Sequence, residues 1–599
     1  MRVRAECGRV GSRKHTSHGT RRSRRGRFYL VHSPRPIPSK HLSTVSSHTA
    51  TRPSPADIHA SEATQREKIP VLIFDEPARM SHQVARRVAN LIEEHNAAGE
   101  QIVLGLPTGS TPIGAYQHLV RMHREDGLDF SNVVTFNLDE YYPMQPDSLQ
   151  SYHRFMHENF FDHVNIPKEN IHIPKGDIPA EEVESYCMEY EHAIRKAGGI
   201  DLILLGIGRS GHIGFNEPGS SVDTRTRAII LDEITRKDAA SDFFGDENVP
   251  REAITMGVGT ILDAKEIILM ATGEHKAPIV RRAVEEEPSR EVTASFLQHH
   301  RDATIYVDDA AAQELTRIKT PWVVRNVEWT DALATRAVIW LSERVGKSIM
   351  TLESTDFHRH NLHSLAYHAS NTDDLCRRVF ESLRRKIRYQ EDLMEREKVV
   401  VFSPHPDDDV ISMGGMLDKL VKNGNDMTVA YMTNGSVAVF DADVRRYIRF
   451  MEMADELFEL SGDAAEKLEN DLRDLRQAME AKKPGTVDSQ VVQRVKAYIR
   501  YAEAIAGIEV MGLGQENARF LDLPFYKTGK VRKDPIGPED VRIVRELLEQ
   551  NRPDHIFVAG DLSDPHGTHR MCYFAIQQAL AEYNEGRDGN ERPTVWLYR

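Results

Sequence analysis

Short apolar runs alternate with amphipathic helical segments along most of this chain, and this alternation restricts the fold more than any other feature. Between residues 66 and 310 the runs predict strands, and amphipathic stretches between them predict helices. The predicted strands cover residues 71–74, 102–106, 133–137, 202–205, 228–231 and 267–271. The predicted helices cover residues 80–96, 152–161, 180–197 and 275–286. Strands that alternate with helices indicate a parallel, doubly wound α/β sheet.

A second strand–helix pattern begins at residues 398–402 (KVVVF), so we expect two Rossmann-like α/β domains. A length of 599 residues and a hydrophobic content of 40% are sufficient for several separate cores. The predicted division is a basic segment at 1–65, an α/β domain at 66–310, a helical connector at 311–394 and a second α/β domain at 395–599. Charged helical sequence at about 441–500 indicates an insertion within the second domain.

The first 55 residues are rich in Arg, Ser and His, and Glu6 is their only acid. They contain no apolar stretch of the kind found in secretory signals. Disorder without a function is the favoured interpretation. A transit peptide, a nucleic-acid-binding arm and a start codon assigned too early are the alternatives.

Composition excludes several classes of function. No apolar run approaches 18 residues, so no membrane span or membrane partner is expected. The formal net charge of −14 argues against a general nucleic-acid binder. The four cysteines form no CxxC pair, which excludes a cysteine zinc site and fits a reducing compartment. We therefore expect a cytoplasmic protein with neither a nucleic-acid nor a membrane partner. We also expect a homo-oligomer.

Residues 401–415 (VFSPHPDDDVISMGG) place His405, Asp407, Asp408 and Asp409 just beyond a predicted strand. Three adjacent carboxylates repel one another unless a cation is present. A His and an Asp three residues apart suit a divalent ion, most plausibly zinc, and a neighbouring carboxylate can serve as base toward water. Residues 561–569 (DLSDPHGTH) also follow a strand and can supply a third ligand. The alternative is an acidic helix-capping turn that binds nothing.

In the first domain, residues 106–112 (LPTGSTP) lie between a strand and a helix. Backbone N–H groups near Gly109 and the hydroxyls of Thr108, Ser110 and Thr111 predict a phosphate cradle. The motif lacks the lysine of a nucleotide-binding P-loop. An ordinary strand–helix turn is the alternative.

A dinucleotide site is suggested by residues 206–211 (GIGRSG), but the following Asn-, Pro- and Gly-containing segment cannot form the required helix. Residues 211–218 (GHIGFNEP) instead place His212 and Glu217 in one turn, and residues 136–141 (FNLDEY) place Asp139 and Glu140 past a strand. A histidine, carboxylates and a phosphate cradle suit proton transfer on a sugar phosphate. A histidine such as His212, taken alone, is more often a structural hydrogen-bonding residue than a catalytic one.

Four motifs, LGLPTGSTP, FNLDEYY, GHIGFNEP and MGVGTILDA, closely resemble glucosamine-6-phosphate deaminase over about residues 70–310. The resemblance implies sugar-ring opening by His212 with Glu217 as its partner, and proton transfer from C2 to C1 by Asp139. It implies phosphate binding by Lys276 and the cradle, Glu140 at the substrate, and no cofactor in this domain.

Two positions depart from that family's pattern. Ser210 stands where the family has an Asp before the Gly-His pair, and Asp242 stands where it has an Arg before the Phe-Phe pair. An anion in place of a phosphate-binding cation inverts a charge-assisted contact. Arg209 is the candidate replacement for the missing cation.

From about residue 395 onward the chain resembles the PIG-L/LmbE-like zinc N-acetylglucosamine deacetylases. The resemblance implies that His405, Asp408 and His569 bind Zn²⁺, that Asp407 is the general base and that His566 stabilises the oxyanion. Thr568 stands where the family has Asp. Family members continue beyond the last strand, so this domain is expected to be truncated.

The leading interpretation is a two-domain amino-sugar enzyme that uses an amino-sugar phosphate and an N-acetylated sugar. Its second domain removes acetate from an N-acetylglucosamine derivative, and its first converts glucosamine 6-phosphate to fructose 6-phosphate and ammonia. The alternatives are a catalytically degraded sugar-phosphate sensor that controls the deacetylase, or a first domain that acts on another sugar phosphate.

Overall fold

The structure is a computed structural model, and the part of the chain that it describes comprises residues 66–240, 242–243, 248–458, 462–482, 487–526, 535–560, 567–589 and 591–599. The predicted basic segment at 1–65 lies outside these residues. None of the described helices combines the length and apolar character needed to cross a bilayer.

The N-terminal half contains ten described strands. They are β1 (Val71–Phe74), β2 (Ile102–Leu106), β3 (Val133–Asn137), β4 (Asp139–Tyr142), β5 (Ile171–His172), β6 (Leu202–Leu205), β7 (Arg227–Ile230), β8 (Glu252–Thr255), β9 (Glu266–Ala271) and β10 (Ala303–Asp308). Seven of them form one sheet in the order β1-β10-β9-β6-β2-β3-β5, and every neighbouring pair is parallel.

Helices cover both faces of this sheet. They are α1 (Pro77–Ala98), α2 (Ile113–Asp126), α3 (Tyr152–Asn159), α4 (Val183–Lys196), α5 (Glu233–Ala239), α6 (Val258–Leu262) and α7 (Ala277–Glu285). Successive strand residues point to opposite faces. Leu104 of β2 therefore packs in the cluster under α1, α2 and α3. Its neighbour Val103 packs in the cluster under α4 and α7. The predicted doubly wound α/β fold is confirmed.

One predicted member of the parallel series lies elsewhere. Residues 228–231 were expected in the large sheet, but β7 pairs antiparallel with β8, and β8 pairs antiparallel with β4, in a separate three-stranded sheet. In β7 partly buried and exposed side chains alternate, as in a sheet with one solvent-facing side. This small sheet begins directly after β3 and carries Asp139 as the first residue of β4.

The connector is a helical unit with its own core. Its helices are α8 (Thr316–Lys319), α9 (Asp331–Val345), α10 (Ser354–Arg359), α11 (His363–Ala369) and α12 (Thr372–Arg384). Leu341, Phe357 and Leu365 are fully buried within one cluster. The connector is thus helical, and its amphipathic faces are packed together.

The C-terminal half has a second parallel sheet of five strands. They are β11 (Lys398–Ser403), β12 (Asp426–Tyr431), β13 (Ala518–Phe520), β14 (His555–Ala559) and β15 (Thr594–Tyr598), in the order β13-β12-β11-β14-β15. The helices are α13 (Asp408–Lys422), α14 (Asp441–Phe458), α15 (Asp463–Glu480), α16 (Gln490–Glu509), α17 (Pro538–Asn551) and α18 (Thr568–Tyr583).

The insertion predicted at about 441–500 contains α14, α15 and the first half of α16. These helices share a small core that includes Val444, Ile448 and Ile499. Further along α16, Ala504 and Ile508 pack against the sheet with β11 and β12. Because α16 is continuous, the insertion is joined by one helix to the core of the second sheet.

Candidate active sites

A cavity of about 1480 Å³ lies at the carboxyl edge of the seven-stranded sheet. In open α/β sheets this edge is where ligands bind. The cavity is lined by the loops after β2, β6 and β9 and by the start of β4. The predicted residues that line it are Thr108, Gly109, Ser110, Thr111, Asp139, Arg209, His212 and Lys276.

The loop after β2 has the form expected of an anion cradle. Gly109 has φ of 101°, a left-handed conformation that glycine adopts without strain. Thr108 and Thr111 are partly exposed toward the cavity, and α2 begins two residues after Thr111. Lys276, which follows β9, donates from Nζ to the Ile207 carbonyl at 2.8 Å. Burial and the Arg209 charge lower the pKa of Lys276, although Asp238 opposes them.

His212 is held by a tight turn after β6. The Gly208 N–H donates to the His212 carbonyl at 3.0 Å, and a Cβ at Gly208 would overlap the imidazole ring. Only glycine therefore allows the ring to lie against the chain at this point. Within the GIGRSG motif, Gly208 is thus the glycine that makes room for the histidine ring.

Glu217 and Ser210 orient the His212 ring from one side. His212 Nδ1 lies 2.9 Å from Glu217 Oε2 and 2.9 Å from Ser210 Oγ. Ser210 Oγ also donates to Glu217 Oε2 at 3.2 Å. Burial alone would raise the pKa of Glu217, but the hydrogen bond and charge of His212 outweigh it and lower that pKa. Ser210 therefore joins the His–carboxylate pair although it carries no charge.

Asp139 is the buried carboxyl of this cavity, with a relative exposure of 6%. Burial and the neighbouring charge of Glu140 raise its pKa from 3.8 to about 8. A Cβ at Gly214 would lie 3.4 Å from Asp139 Oδ2, so the glycine-containing turn after His212 approaches this carboxyl closely. A carboxyl with such a pKa exchanges protons near neutral pH, as a general acid or base must.

Glu140 does not line the cavity, in contrast to the sequence expectation. Its carboxylate accepts from the backbone N–H groups of Tyr152 and His153, each at 3.0 Å, and from Ser151 Oγ at 2.8 Å. A carboxylate at this place stabilises the first turn of α3. Asp139 and Glu140 are successive residues of a strand, so their side chains point to opposite sides.

Asp242, the second departure from the family pattern, and Arg209, the candidate replacement for the missing cation, occupy different places. Arg209 lines the cavity, where it forms an ion pair with Asp238 at 2.7 Å. Asp242 is exposed, and its backbone carbonyl accepts a hydrogen bond from Gln150 at 3.0 Å. Asp242 is not among the residues that line the cavity. Asp242 therefore lies outside the lining that contains the cradle, whereas Arg209 belongs to it.

The second candidate site lies at the carboxyl edge of the five-stranded sheet. His405 Nδ1 and His569 Nε2 lie 3.1 Å and 3.2 Å from Asp408 Oδ2, and 3.3 Å from each other. Burial would raise the pKa of Asp408, but hydrogen bonds from His405 and His569 bring it well below its usual range. Within the described part of the chain, these three residues form the one group of His, Cys, Asp or Glu side chains suited to a metal ion.

Donor type and spacing in this group fit zinc. Bonds of about 2.0–2.2 Å to a tetrahedral ion place neighbouring ligand atoms roughly 3.3–3.5 Å apart. The observed separations of 3.1–3.3 Å are close to this range. Two imidazoles and one carboxylate also leave a fourth position for a substrate or water, as in catalytic zinc sites.

The three consecutive carboxylates have three different environments. Asp408 contacts the two histidines, and Asp409 is fully buried, where it accepts from Ser403 Oγ and the Tyr431 hydroxyl, each at 3.1 Å. Asp407 is paired with Arg500 of α16 at 2.8 Å. Asp409 is therefore a structural residue, whereas Asp407 remains beside the candidate metal group.

Sequence reasoning did not identify Arg500, because it lies in an amphipathic helix far along the chain from Asp407. No local pattern marks it. Of the predicted residues, His566 lies outside the described part of the chain. Thr568 is buried in the first turn of α18, directly before His569.

Known proteins match both halves of the chain. The family described as "Glucosamine-6-phosphate isomerases/6-phosphogluconolactonase" matches residues 75–306, and "GlcNAc-PI de-N-acetylase" matches residues 400–580. A glucosamine-6-phosphate deaminase-like protein of Bacteroides thetaiotaomicron is 40% identical over 554 residues, which cover 90% of this chain and 83% of that protein.

Two further relatives match the N-terminal half. A glucosamine-6-phosphate deaminase of a Thermoanaerobacter species is 48% identical over 38% of this chain and 90% of its own length. The solved structure of a monomeric glucosamine-6-phosphate deaminase is 40% identical over 41% of this chain and 100% of its own, with a TM-score of 0.40. Both resemblances read from the motifs are confirmed. This chain belongs to the glucosamine-6-phosphate deaminase family and carries a PIG-L deacetylase domain behind its deaminase-like domain.

Proposed function

We propose that this protein is an amino-sugar enzyme whose first domain converts glucosamine 6-phosphate to fructose 6-phosphate and ammonia. One observation carries the proposal: His212, which is paired with Glu217, and the buried Asp139 line the same cavity as the phosphate cradle and Lys276. Residues suited to proton transfer and residues suited to anion binding thus share one cavity, which supports the proposal.

The reaction assigns a separate task to each group. The cradle and Lys276 bind the phosphate, and His212, held by Glu217, moves the proton that opens the sugar ring. Asp139 then takes the proton from C2 and returns it to C1, after which water releases ammonia from C2 and leaves the keto sugar. Burial of Asp139 favours this role because a desolvated carboxylate is a stronger base.

Ser210 bears on the alternative that this domain is a degraded sensor. The serine hydrogen-bonds both His212 and Glu217, so a short polar side chain retains the contact expected of the family's Asp. Asp242 is exposed and is not among the residues that line the cavity with the cradle. Both observations favour catalysis.

We assign the second domain a zinc-dependent removal of acetate from an N-acetylglucosamine derivative. His405, Asp408 and His569 would hold the ion, which when bound polarises the acetyl carbonyl and water. Asp407 would take a proton from the attacking water and deliver it to the departing amine. Arg500, 2.8 Å from Asp407, would fix the direction of that carboxylate.

The deaminase assignment is tested with the full chain and glucosamine 6-phosphate, by measuring ammonia and fructose 6-phosphate. Asp139→Asn should abolish turnover and leave binding of the sugar phosphate largely intact, since only proton transfer is removed. Asp263→Asn, in an exposed ion pair with Arg225, is the matched control and should retain activity. Absence of turnover in the native protein, or full activity of Asp139→Asn, would refute the assignment.

The deacetylase assignment is tested by acetate release from a panel of N-acetylglucosamine, its 6-phosphate and its glycosides. Chelation should stop the release and zinc should restore it. Asp554→Asn, outside the site, is the matched control for Asp407→Asn. A native protein that releases acetate equally well after complete metal removal would contradict zinc dependence.

A further inference from the structure

The cavity of the deaminase-like domain is also lined by the deacetylase-like domain. Gly560 follows β14, Gly567 and Arg570 lie at the start of α18, and Arg599 follows β15. All four therefore lie at the carboxyl edge of the second sheet. The carboxyl edges of both parallel sheets, where ligands bind in such folds, open onto one cavity.

Helix α18 connects this cavity to the candidate metal group. His569, in the first turn, contacts His405 and Asp408, and the next residue, Arg570, lines the shared cavity. The Arg570 guanidinium reaches back over Gly567, where a Cβ would lie 3.5 Å from its nitrogen. One helical turn thus contributes to both sites.

A direct ion pair joins the two edges. Arg599 donates to Glu274 at 2.5 Å across 325 residues of chain. Glu274 belongs to the same short turn as Lys276, which lines the cavity near the cradle. The pair holds the loop after β9 against the second domain.

The cavity is suited to an anion between the two edges. Positive side chains come from both domains: Arg209, Lys276, Arg570 and Arg599. Several acidic residues of the lining already have partners. Asp238 is paired with Arg209, Glu274 with Arg599 and Asp75 with Arg79, and Asp308 accepts from the backbone N–H groups of Gly273 and Ala311. Lys276 and Arg570, one from each domain, belong to none of these ion pairs, so they can attract a phosphate dianion into the cavity.

We infer that the second domain deacetylates a 6-phosphorylated N-acetylglucosamine and that its product crosses this cavity to the deaminase site without leaving the protein. The inference rests on the proposed function and adds to it the substrate class and the route. Arg570 serves as an anion-binding residue on that route.

The two steps are chemically continuous. Water oxygen bonds to the acetyl carbon, the amide C–N bond breaks, acetate leaves, and the amine gains a proton to give glucosamine 6-phosphate. In the second step C1 gains the hydrogen lost from C2, and a second water supplies the C2 carbonyl oxygen as the C2–N bond breaks and ammonia leaves. No oxidant or further reactant is required.

The experiment, done with the full chain, distinguishes glucosamine 6-phosphate that enters bulk solution from glucosamine 6-phosphate that stays within the protein. Carbon-labelled N-acetylglucosamine 6-phosphate is supplied together with an unlabelled pool of glucosamine 6-phosphate, and label is measured in the first fructose 6-phosphate formed. The control is an equimolar mixture of Asp139→Asn and Asp407→Asn chains, in which the intermediate must cross bulk solution. Since a confined intermediate has an effective concentration of about millimolar, we expect at least roughly tenfold more label with the native chain than with the mixture.

Arg570→Glu tests the route itself. It should lower the label in the first fructose 6-phosphate toward the value of the mixture. Arg592→Glu, exposed just before β15 and outside the lining of the cavity, is the control and should not lower it. Acetate release and ammonia release are measured separately on every variant. The label found in fructose 6-phosphate is then normalised to the rates of these two activities. If acetate or ammonia release is absent, the proposed function and this inference both fail. If both activities are present and the native chain matches the mixture, the inference alone is overturned.

Discussion

Asp139 should set the pH dependence of deamination. Its carboxyl is 6% exposed, and burial with the Glu140 charge raises its pKa to about 8. A general base acts in its deprotonated form, so the active fraction falls roughly tenfold for each pH unit below the pKa. At pH 6, kcat/KM should therefore lie roughly 100-fold below its plateau in alkaline solution.

Glu140→Gln separates the two causes of this pKa. The substitution keeps the size of the side chain and removes a negative charge beside Asp139, so the acid limb of the profile should move to lower pH. It also weakens charge-assisted hydrogen bonds from Tyr152 and His153, which should cost about 1–3 kcal/mol of stability. Glu93→Gln, exposed on α1, is the control. It should change neither the position of the acid limb nor the stability of the protein.

The same pKa predicts a stability effect of known sign. The pKa of Asp139 is higher in the folded than in the unfolded protein. The stabilisation of the folded state by its protonated carboxyl is therefore fully present below the unfolded pKa near 4, and it is lost as pH rises toward about 8. Asp139→Asn removes this dependence. The variant should be less active and yet show a higher Tm than the native protein at pH 9. The measurements are ammonia release and thermal unfolding from pH 5.5 to 9.5. A flat rate profile, together with a Tm difference that does not vary with pH, would refute the assignment of Asp139 as a buried base.

Three further outcomes are expected. His569→Ala should reduce bound zinc from about one per chain to nearly none, whereas Asp407→Asn should retain it, as measured by elemental analysis. Arg500→Ala should retain zinc and lower acetate release about tenfold, because a charge-assisted contact to the partly exposed Asp407 is lost. Asp242→Arg should leave the KM for glucosamine 6-phosphate unchanged, and a tenfold lower KM would mean that this side chain reaches the phosphate.

The positions of the main strands followed from local sequence. The strands at 71–74, 102–106, 133–137 and 202–205 are observed where the apolar runs predict them. The strands β2, β3 and β6 are buried along their whole length, and burial on both faces produces continuous apolar runs. Motifs placed after such strands could therefore be assigned to one edge before their contacts were known.

The environment of Glu140 could not be predicted in this way. Residues 136–141 look like a strand followed by an acidic turn, but the chain enters β4 at Asp139 and pairs with β8. That pairing joins residues more than a hundred positions apart, and no local pattern specifies it. Once β4 is known, alternation along the strand explains why Asp139 faces the cavity and Glu140 caps α3.

In the second site, too, the role of each carboxylate depends on a partner that lies far away in the sequence. Asp407, Asp408 and Asp409 are chemically alike in the sequence, and what distinguishes them is contact with Arg500, His569 and Tyr431 respectively. These partners come from α16, α18 and β12, three segments that meet only in the folded domain. A carboxylate without its partner would be repelled by its two neighbours. Zinc affinity should thus depend on the packing of the insertion and of α18 as well as on the His405 turn, because a preformed site of this kind does not exist in the unfolded chain.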